Sequence, residues 1–378
     1  MRILITGGSG FIGSNLALKL NELGHDIVIL DNLSKQIHGE NPEITSPLYI
    51  AIRDKVTFIK GDVCNKADWE KALPGIEVVV HLAAETGTGQ SMYEIERYAA
   101  VNSQGTSILL DILANKKDKT VRRIVVASSR AIYGEGRYYS EKFGYVFPES
   151  RKASDMQKGF FDVRIDGCDE VLTLCPTTED SKIHPASVYG ITKQVQEQLI
   201  MCVANAIGIS AVSLRYQNVY GPGQSLKNPY TGILSIFSTL IKNNKGLNIF
   251  EDGKESRDFV YIEDVVQATV LAVTKEEAAN NVYNVGSGVA TSVLTVAHSL
   301  IKGYSVNVPV TITGNFRVGD IRHNYADISR IQQHLGFIPA YSFESGIERF
   351  IKWVNLQEIT ASHFDNSVEE MRKKGLLK

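Results

Sequence analysis

Apolar positions follow two alternating rhythms along this chain: short continuous runs, and longer stretches with the spacing of one helix face. Residues 2–6 are such a run, and after a glycine turn residues 11–23 carry apolar side chains at helical intervals. Further runs at 27–31, 56–60, 76–84 and 123–129 predict four more strands, with a long helix over 91–116 before the last of them. Continuous apolar runs are what strands buried on both faces require. Their alternation with helices predicts an α/β protein built on a doubly wound parallel sheet.

The rhythm is interrupted twice. Residues 35–54 read as a long loop with no assigned structure, and residues 134–183, rich in Tyr, Lys, Asp and Gly, read as an insertion folded against the body. Helix follows to about residue 206, then a strand at 210–216. Helices near 231–244, 263–274, 292–302, 326–335, 343–356 and 366–376 come next, with strands near 247–250 and 308–313. The chain therefore divides into residues 1–216, with an insertion at about 135–183, and a smaller mixed α/β part at 217–378. Segments at about 258–285 are expected to return to the first part.

Composition narrows the classes. The 378 residues are 43% hydrophobic and 22% charged with a net charge of −2, so no basic stripe points to nucleic acid. No run reaches the roughly 18 apolar residues of a membrane span. Cys64, Cys168, Cys175 and Cys202 are scattered, which suits reduced thiols in a cytoplasmic protein.

Candidate chemistry begins at the first turn, Thr6-Gly7-Gly8-Ser9-Gly10-Phe11-Ile12-Gly13. Between strand and helix, this pattern seats a dinucleotide: Gly7 permits the tight turn, Gly10 admits the pyrophosphate, and Gly13 lets helix and strand pack closely. Phe11 and Ile12 open a helix whose free N–H groups favour an anion. Asp31 ends the second strand, where a carboxylate takes the ribose hydroxyls and repels a 2′-phosphate, favouring NAD over NADP. Asn32, Asp62 and Val63 are expected near the adenosine. The small residues at Leu82, Ala83 and Ala84 leave room for the cofactor, and Asn102 joins this set. His81, inside an apolar run, reads as structural.

Tyr189 and Lys193 are four apart on a predicted helix and so share a face. A tyrosine holds its proton to a pH of about 10, and a nearby ammonium and an oxidised nicotinamide both favour the phenolate. Ser129, from the pair Ser128-Ser129, would share the proton. Ser129, Tyr189 and Lys193 are the predicted catalytic residues. Arg257, Arg317 and Arg322 lie in loops, where guanidinium forks suit a diphosphate, and Asp320 suits a ribose.

Together, Gly7-x-x-Gly10-x-x-Gly13, Asp62-Val63, His81-Leu82-Ala83-Ala84, Ser128-Ser129, Tyr189-x-x-x-Lys193 and Arg257-Asp-Phe-Val-Tyr resemble the extended short-chain dehydrogenases that act on nucleotide sugars, over about residues 1–355. The resemblance implies a Rossmann-type NAD domain, a smaller nucleotide-sugar domain, and a homodimer through helices near 92–117 and 187–206. In this family the 4,6-dehydratases place an Asp-Glu pair after the residue matching Ser129, where this chain has Arg130 and Ala131. The cysteine of 3,5-epimerising members is also missing, which leaves epimerisation at C4.

Arg215-Tyr-Gln-Asn218-Val-Tyr-Gly-Pro-Gly-Gln-Ser, Asn228-Pro-Tyr-Thr-Gly, Glu85-Thr86-Gly-Thr-Gly-Gln and Arg317-Val-Gly-Asp320-Ile-Arg322-His look like the dTDP-L-rhamnose 4-epimerase branch. That implies a dTDP-6-deoxyhexose substrate, such as dTDP-L-rhamnose or dTDP-6-deoxy-L-talose, contacted at Thr86, Ser129, Asn218, Arg257, Arg317 and Asp320. A UDP-hexose 4-epimerase, a nucleotide-sugar dehydratase or reductase, and a non-catalytic NAD-binding protein are the alternatives. The branch often carries a zinc-like Cys/His set in its insertion. Here Ser140, Phe143 and Ile165 occupy ligand places and only Cys168 remains, so no metal is expected.

Overall fold

Seven parallel strands form the centre of the computed structural model, which describes residues 1–116, 119–168, 170–228, 230, 232–358 and 364–378. They are β1 (Arg2–Thr6), β2 (Asp26–Asp31), β3 (Thr57–Lys60), β4 (Val78–His81), β5 (Arg123–Ser129), β6 (Ser210–Tyr216) and β7 (Asn281–Val285). Their order across the sheet is β7-β6-β5-β4-β1-β2-β3. Every β5 residue is buried, as a central strand covered on both faces must be.

The covering helices explain why the runs are continuous. On one face α1 (Phe11–Glu22) and α4 (Ile262–Thr274) pack Leu16, Leu20, Val265 and Ala268 against Ile3, Ile5, Val80 and Leu214. On the other, α2 (Gly105–Asn115) and α3 (Val188–Ala206) pack Leu109, Leu113, Ile200 and Ala204 against Leu4, Val79, Ile124 and Val126. The strands are added outward from β1 to one side through β2 and β3 and then to the other from β4, and the crevice of such a sheet opens at the carboxyl ends at that switch point. This is an α/β Rossmann-type fold carrying a smaller mixed α/β part.

Several expectations need correction. The helix expected over 91–116 is broken: α2 begins at Gly105, after a π-helical segment Ala99–Gln104 and a short helix Ile95–Tyr98. Apolar spacing is similar in both helix types, so the pattern does not reveal the wider turn. Residues 35–54 are not a bare loop but hold the helices Lys35–His38, Pro42–Thr45 and Pro47–Ile52. Each is too short to show a period. The last two start with proline in their first turn, and Ser46 caps the third by accepting Tyr49 N–H. The run at 76–84 is a strand only over Val78–His81.

The insertion has its own antiparallel sheet, in which Arg137–Ser140 pairs with Gly144–Val146 and Thr173–Cys175 around Tyr138, Val163 and Leu172. In the C-terminal part, Ser256–Tyr261 pairs with Asn218–Tyr220, Ala290–Ser292 and His323–Asn324, and Leu247–Ile249 pairs with Val310–Ile312. Strand β7 joins β6 from that part, which extends the central sheet. Pro229 and Thr231 of the quoted Asn228 motif lie outside the described residues. Among the described residues no helix is long and apolar enough to cross a membrane.

Candidate active site

A cavity of about 1580 Å³ opens along the carboxyl ends of the strands, and the glycine turn after β1 forms one wall. Gly7 has φ +67, and a Cβ there would stand 2.9 Å from the Ala83 backbone; a Cβ on Gly13 would stand 2.4 Å from Gly7 O. Only glycine lets the turn, the segment after β4 and α1 come this close. Asp31 ties the turn to β2: its carboxylate accepts Ser9 N–H at 2.9 Å and Leu33 N–H at 2.8 Å. Asp62 accepts a 3.0 Å bond from Asn32 Nδ2 and another from Cys64 N–H at 2.8 Å. Gly10, Phe11, Ile12, Val63, Leu82 and Ala84 line the same cavity. Ser128 Oγ, also on the wall, is buried without a hydrogen-bond partner in the protein. A glycine cradle, a carboxylate and an idle hydroxyl fit a dinucleotide laid across the strand ends.

Tyr189 and Lys193 rise into the cavity from the first turns of α3, whose start is fixed by Ser187 accepting Gly190 N–H at 3.1 Å. Burial pushes the Tyr189 phenol up, and the nearby Ser129 side chain, then the Arg130 guanidinium, pull it down. The ammonium expected to acidify Tyr189 is engaged elsewhere. Lys193 Nζ donates to Gln196 Oε1 at 2.7 Å, and burial lowers its pKa to about 7.

From Gln196 a buried chain crosses behind the cavity. Thr106 Oγ1 donates to Asn102 O at 2.7 Å, so it must receive Gln196 Nε2–H and His81 Nε2–H, both at 3.0 Å. His81 Nδ1 then accepts from Thr6 Oγ1 at 2.7 Å, and Thr6 Oγ1 accepts Ala83 N–H at 3.2 Å. Burial, with Lys193 adding to it, holds the His81 pKa at about 3, so the ring is neutral and structural. Asn102, expected on the cofactor, stands behind the wall instead. Its amide is spent on Glu85 N–H at 2.8 Å, Glu85 O at 3.1 Å and Thr192 Oγ1 at 3.0 Å.

The far end of the cavity holds Thr86, Asn218, Arg257, Arg317 and Asp320. Arg257 gives donors to the carbonyls of Ser256, Ile321 and Arg322 at 2.7–2.9 Å, and Arg317 lies 3.9 Å from Asp320 with its guanidinium over the Phe250 ring. Arg322 is not with them. It is fully buried and bonded to Asp162, Glu251 and Asp252 at 2.6–3.1 Å, so it is removed from the diphosphate set.

Sequence reasoning missed several wall residues. Lys35 to Ala51 contributes a flank through the unforeseen helices, and the proline at the head of two of them was the available signal. Gln217, both amide atoms buried without a partner, and Glu255, pushed by burial to about 7, also line the cavity; no sequence spacing marks them.

In the insertion, Ser140 Oγ accepts Phe143 N–H at 3.1 Å, bonds the Glu170 carboxylate and lies 3.8 Å from Cys168 Sγ. Among the described residues no three His, Cys, Asp or Glu side chains gather as a metal-binding group.

A dinucleotide cradle at the switch point, with tyrosine, serine and lysine on the same crevice, defines a cofactor-dependent redox site of the short-chain dehydrogenase type. The model of the NAD dependent epimerase/dehydratase family matches residues 3–153 and 168–286, and the chain belongs to that family. It is an isomerase with NAD as its cofactor. It is 38% identical over 356 residues to the dTDP-L-rhamnose 4-epimerase of Burkholderia thailandensis, covering 93% of this chain and 94% of that one. It is 31% identical to a putative UDP-glucose 4-epimerase of Methanocaldococcus jannaschii, covering 93% and 98%. Among solved structures it is similar to the UDP-glucuronic acid 4-epimerase of Bacillus cereus bound to UDP-glucuronic acid and NAD, with TM-score 0.75, 26% identity, and coverage of 94% and 99%. The UDP-glucose 4-epimerase of Thermotoga maritima with UDP-glucose gives TM-score 0.73 at 28% identity, covering 94% and 99%.

Proposed function

We propose that this chain is a nucleotide-sugar 4-epimerase acting on a dTDP-6-deoxyhexose, interconverting dTDP-L-rhamnose and dTDP-6-deoxy-L-talose. The observation that carries it is Tyr189 sharing the cavity wall with Ser129, where Ser129 is followed in the chain by Arg130 and Ala131 rather than by an acid pair. Loss of water needs a proton donor and acceptor at the neighbouring carbons. Inversion at C4 needs only one base. The likeness to the Burkholderia enzyme over nearly the whole of both chains supports the dTDP-6-deoxyhexose assignment.

Bound NAD supplies a reversible acceptor for hydride. Tyr189, as phenolate, takes the C4 hydroxyl proton as the C4 hydrogen leaves with its electron pair. Ser129 holds the same oxygen. The 4-keto sugar turns about its diphosphate linkage, hydride returns to the opposite face, and Tyr189 gives the proton back, so no net oxidation occurs. Turning requires a loosely held sugar on a firmly held nucleotide. Thr86 and Asn218 are assigned to the sugar side, and Arg257, Arg317 and Asp320 to the nucleotide. The same reading assigns residues 1–216 mainly to the cofactor and 217–378 mainly to the nucleotide sugar. It also takes the protein as a cytoplasmic homodimer paired through helices near 92–117 and 187–206.

The test is incubation of the purified protein, without added cofactor, with a panel of dTDP- and UDP-sugars, followed by proton NMR of the C4 signal. Conversion of dTDP-L-rhamnose to its C4 epimer is expected. A UDP-hexose turned over in its place would overturn the substrate assignment. A stoichiometric need for added NAD or NADH would overturn epimerisation itself.

A further inference from the structure

Met371 is buried and lines the cavity, yet it joins none of the apolar clusters that hold the fold together. Its helix, Phe364–Lys373, is held from two sides. On one, the Tyr93 and Tyr230 hydroxyls stand 2.6 Å apart and meet the Glu370 carboxylate at 3.3 and 3.1 Å. On the other, Phe316 and Lys378 exchange backbone hydrogen bonds at 2.8 and 3.0 Å, and Val318 N–H donates to Leu376 O at 2.9 Å. The last residues therefore run antiparallel to the segment that carries Arg317. Leu376 N–H closes on Met371 O at 2.9 Å, which ties the helix to that pairing.

The loop after β4 fixes where Met371 stands. A Cβ on Gly89 would lie 3.1 Å from Met371 Sδ, and one on Gly87, with φ +120, would lie 3.3 Å from the Tyr98 hydroxyl and 3.4 Å from Tyr230 Cβ. The two glycines of Glu85-Thr-Gly-Thr-Gly-Gln thus make room for the methionine and for a tyrosine that holds its helix. The same loop reaches the chemistry. Thr86 O accepts the Tyr98 hydroxyl at 2.7 Å, the Tyr98 ring stands edge-on to Tyr189 at 6.5 Å, and Ser91 Oγ accepts Tyr189 N–H at 3.0 Å. The C-terminal segment therefore reaches from the Arg317 side of the cavity to the loop that seats Tyr189, and it sets a thioether on the wall between them.

We propose that residues 364–378 are a strap that completes the sugar end of the cavity, latched by Glu370, and that Met371 is the specificity-determining residue it carries, an apolar wall for the methyl group of a 6-deoxyhexose. A methyl group packs on the thioether without loss. A hydroxymethyl group brings a hydroxyl that gives up water there and finds only a weak acceptor. Methionine is unbranched and adaptable, so one side chain serves both poses of a sugar that turns between half-reactions. This inference deepens the 4-epimerase reading and rests on it for the sugar.

The test compares kcat/KM for dTDP-L-rhamnose with that for dTDP-L-mannose, the same sugar with a hydroxyl on C6, in the NAD-loaded parent and its variants. Met371→Gln keeps the length of the side chain and offers the hydroxyl a partner. Met371→Leu keeps the wall apolar, and Glu370→Ala removes the latch. The parent should favour the 6-deoxy sugar by about 100-fold, and Met371→Gln should narrow that ratio about tenfold. Met371→Leu should hold the ratio within about twofold. Glu370→Ala should raise KM for both sugars and narrow the ratio in the same direction. Met371→Ala, which also removes the wall, serves if the glutamine variant does not fold. An unmoved ratio in Met371→Gln, whatever its stability, would overturn the proposal and leave Met371 a packing residue. A parent that turns over UDP-hexoses alone would instead overturn the substrate reading, and UDP-6-deoxyglucose set against UDP-glucose then decides Met371 by the same ratio.

Discussion

Lys193 Nζ and Gln196 Oε1 are joined by a 2.7 Å hydrogen bond at a position sealed from solvent, one turn along the same helix. The bond gives a buried ammonium one acceptor and no counter-ion, which is why its pKa falls from 10.5 to about 7. A lysine in that state is held at the expense of stability.

Replacing Lys193 with Met should therefore stabilise the protein in acid and neutral solution. Below pH 7 both folded and unfolded chains carry the proton, and the fold bears the whole cost of the buried charge. Between about 7 and 10.5 the unfolded chain binds more protons, so the parent's stability rises with pH across that window. The shift corresponds to about 5 kcal/mol, and leaving Gln196 Oε1 idle takes back about 2. Urea unfolding should show a net gain of about 3 kcal/mol near pH 6 that disappears near pH 10. A gain independent of pH would mean that the ammonium is not its source.

Tyr189→Phe removes the proposed base and leaves the cavity shape. Turnover should fall by about 10² to 10⁴-fold, the range for a positioned acid or base, while NAD stays bound. Absorbance of the cofactor released on denaturation, set beside the NMR rate, separates the two effects. Retained activity would refute the assigned base.

What was legible in the sequence was what is local or repeated. The strands are buried on both faces, so each writes a continuous apolar run, and β1, β5 and β6 begin and end where that pattern predicts. Tyr189 and Lys193 are one helical turn apart, so their shared face follows from spacing alone. Gly7 and Gly13 are marked because no other residue fits. Residues joined only by the fold are illegible: nothing along the chain says that Asp162 and Asp252 meet on Arg322, or that Arg130 reaches Asn218. Gln196 is within one turn of Lys193, but spacing alone does not say whether the ammonium faces it or Tyr189. A polar residue inside a π-helical turn, such as Asn102, is as well placed to clamp the neighbouring loop as to meet a ligand, and spacing does not tell the two apart.

Asp31 holds the glycine turn through Ser9 and Leu33 and lines the cavity where the ribose is expected. Asp31→Ala releases two backbone donors and removes the charge that excludes a 2′-phosphate. NAD affinity should drop about 10 to 100-fold, and the preference against NADP should narrow by a similar factor. Calorimetric titration of cofactor-stripped protein with each dinucleotide measures both. An unchanged preference would remove Asp31 as its determinant.

Arg322 and Arg317 sit five residues apart and should fail in opposite ways. Arg322 is surrounded by Asp162, Glu251 and Asp252 and has no place on the cavity wall, so Arg322→Met leaves Asp162 and Asp252 without this cation and Glu251 with Arg151 alone. Asp162 is exposed and Asp252 partly so, which keeps the cost below that of a fully buried pair, at about 2 kcal/mol. The unfolding midpoint should drop sharply, whereas the KM of whatever folds should stay near the parent value. Arg317 is partly exposed beside Phe250, and its Nε has no partner. Arg317→Met should leave stability within about 0.5 kcal/mol and raise the KM for the nucleotide sugar about tenfold, since one charge-assisted phosphate contact is lost. A raised KM in Arg322→Met at unchanged stability would return that arginine to the diphosphate and show that the acidic cluster is not its site.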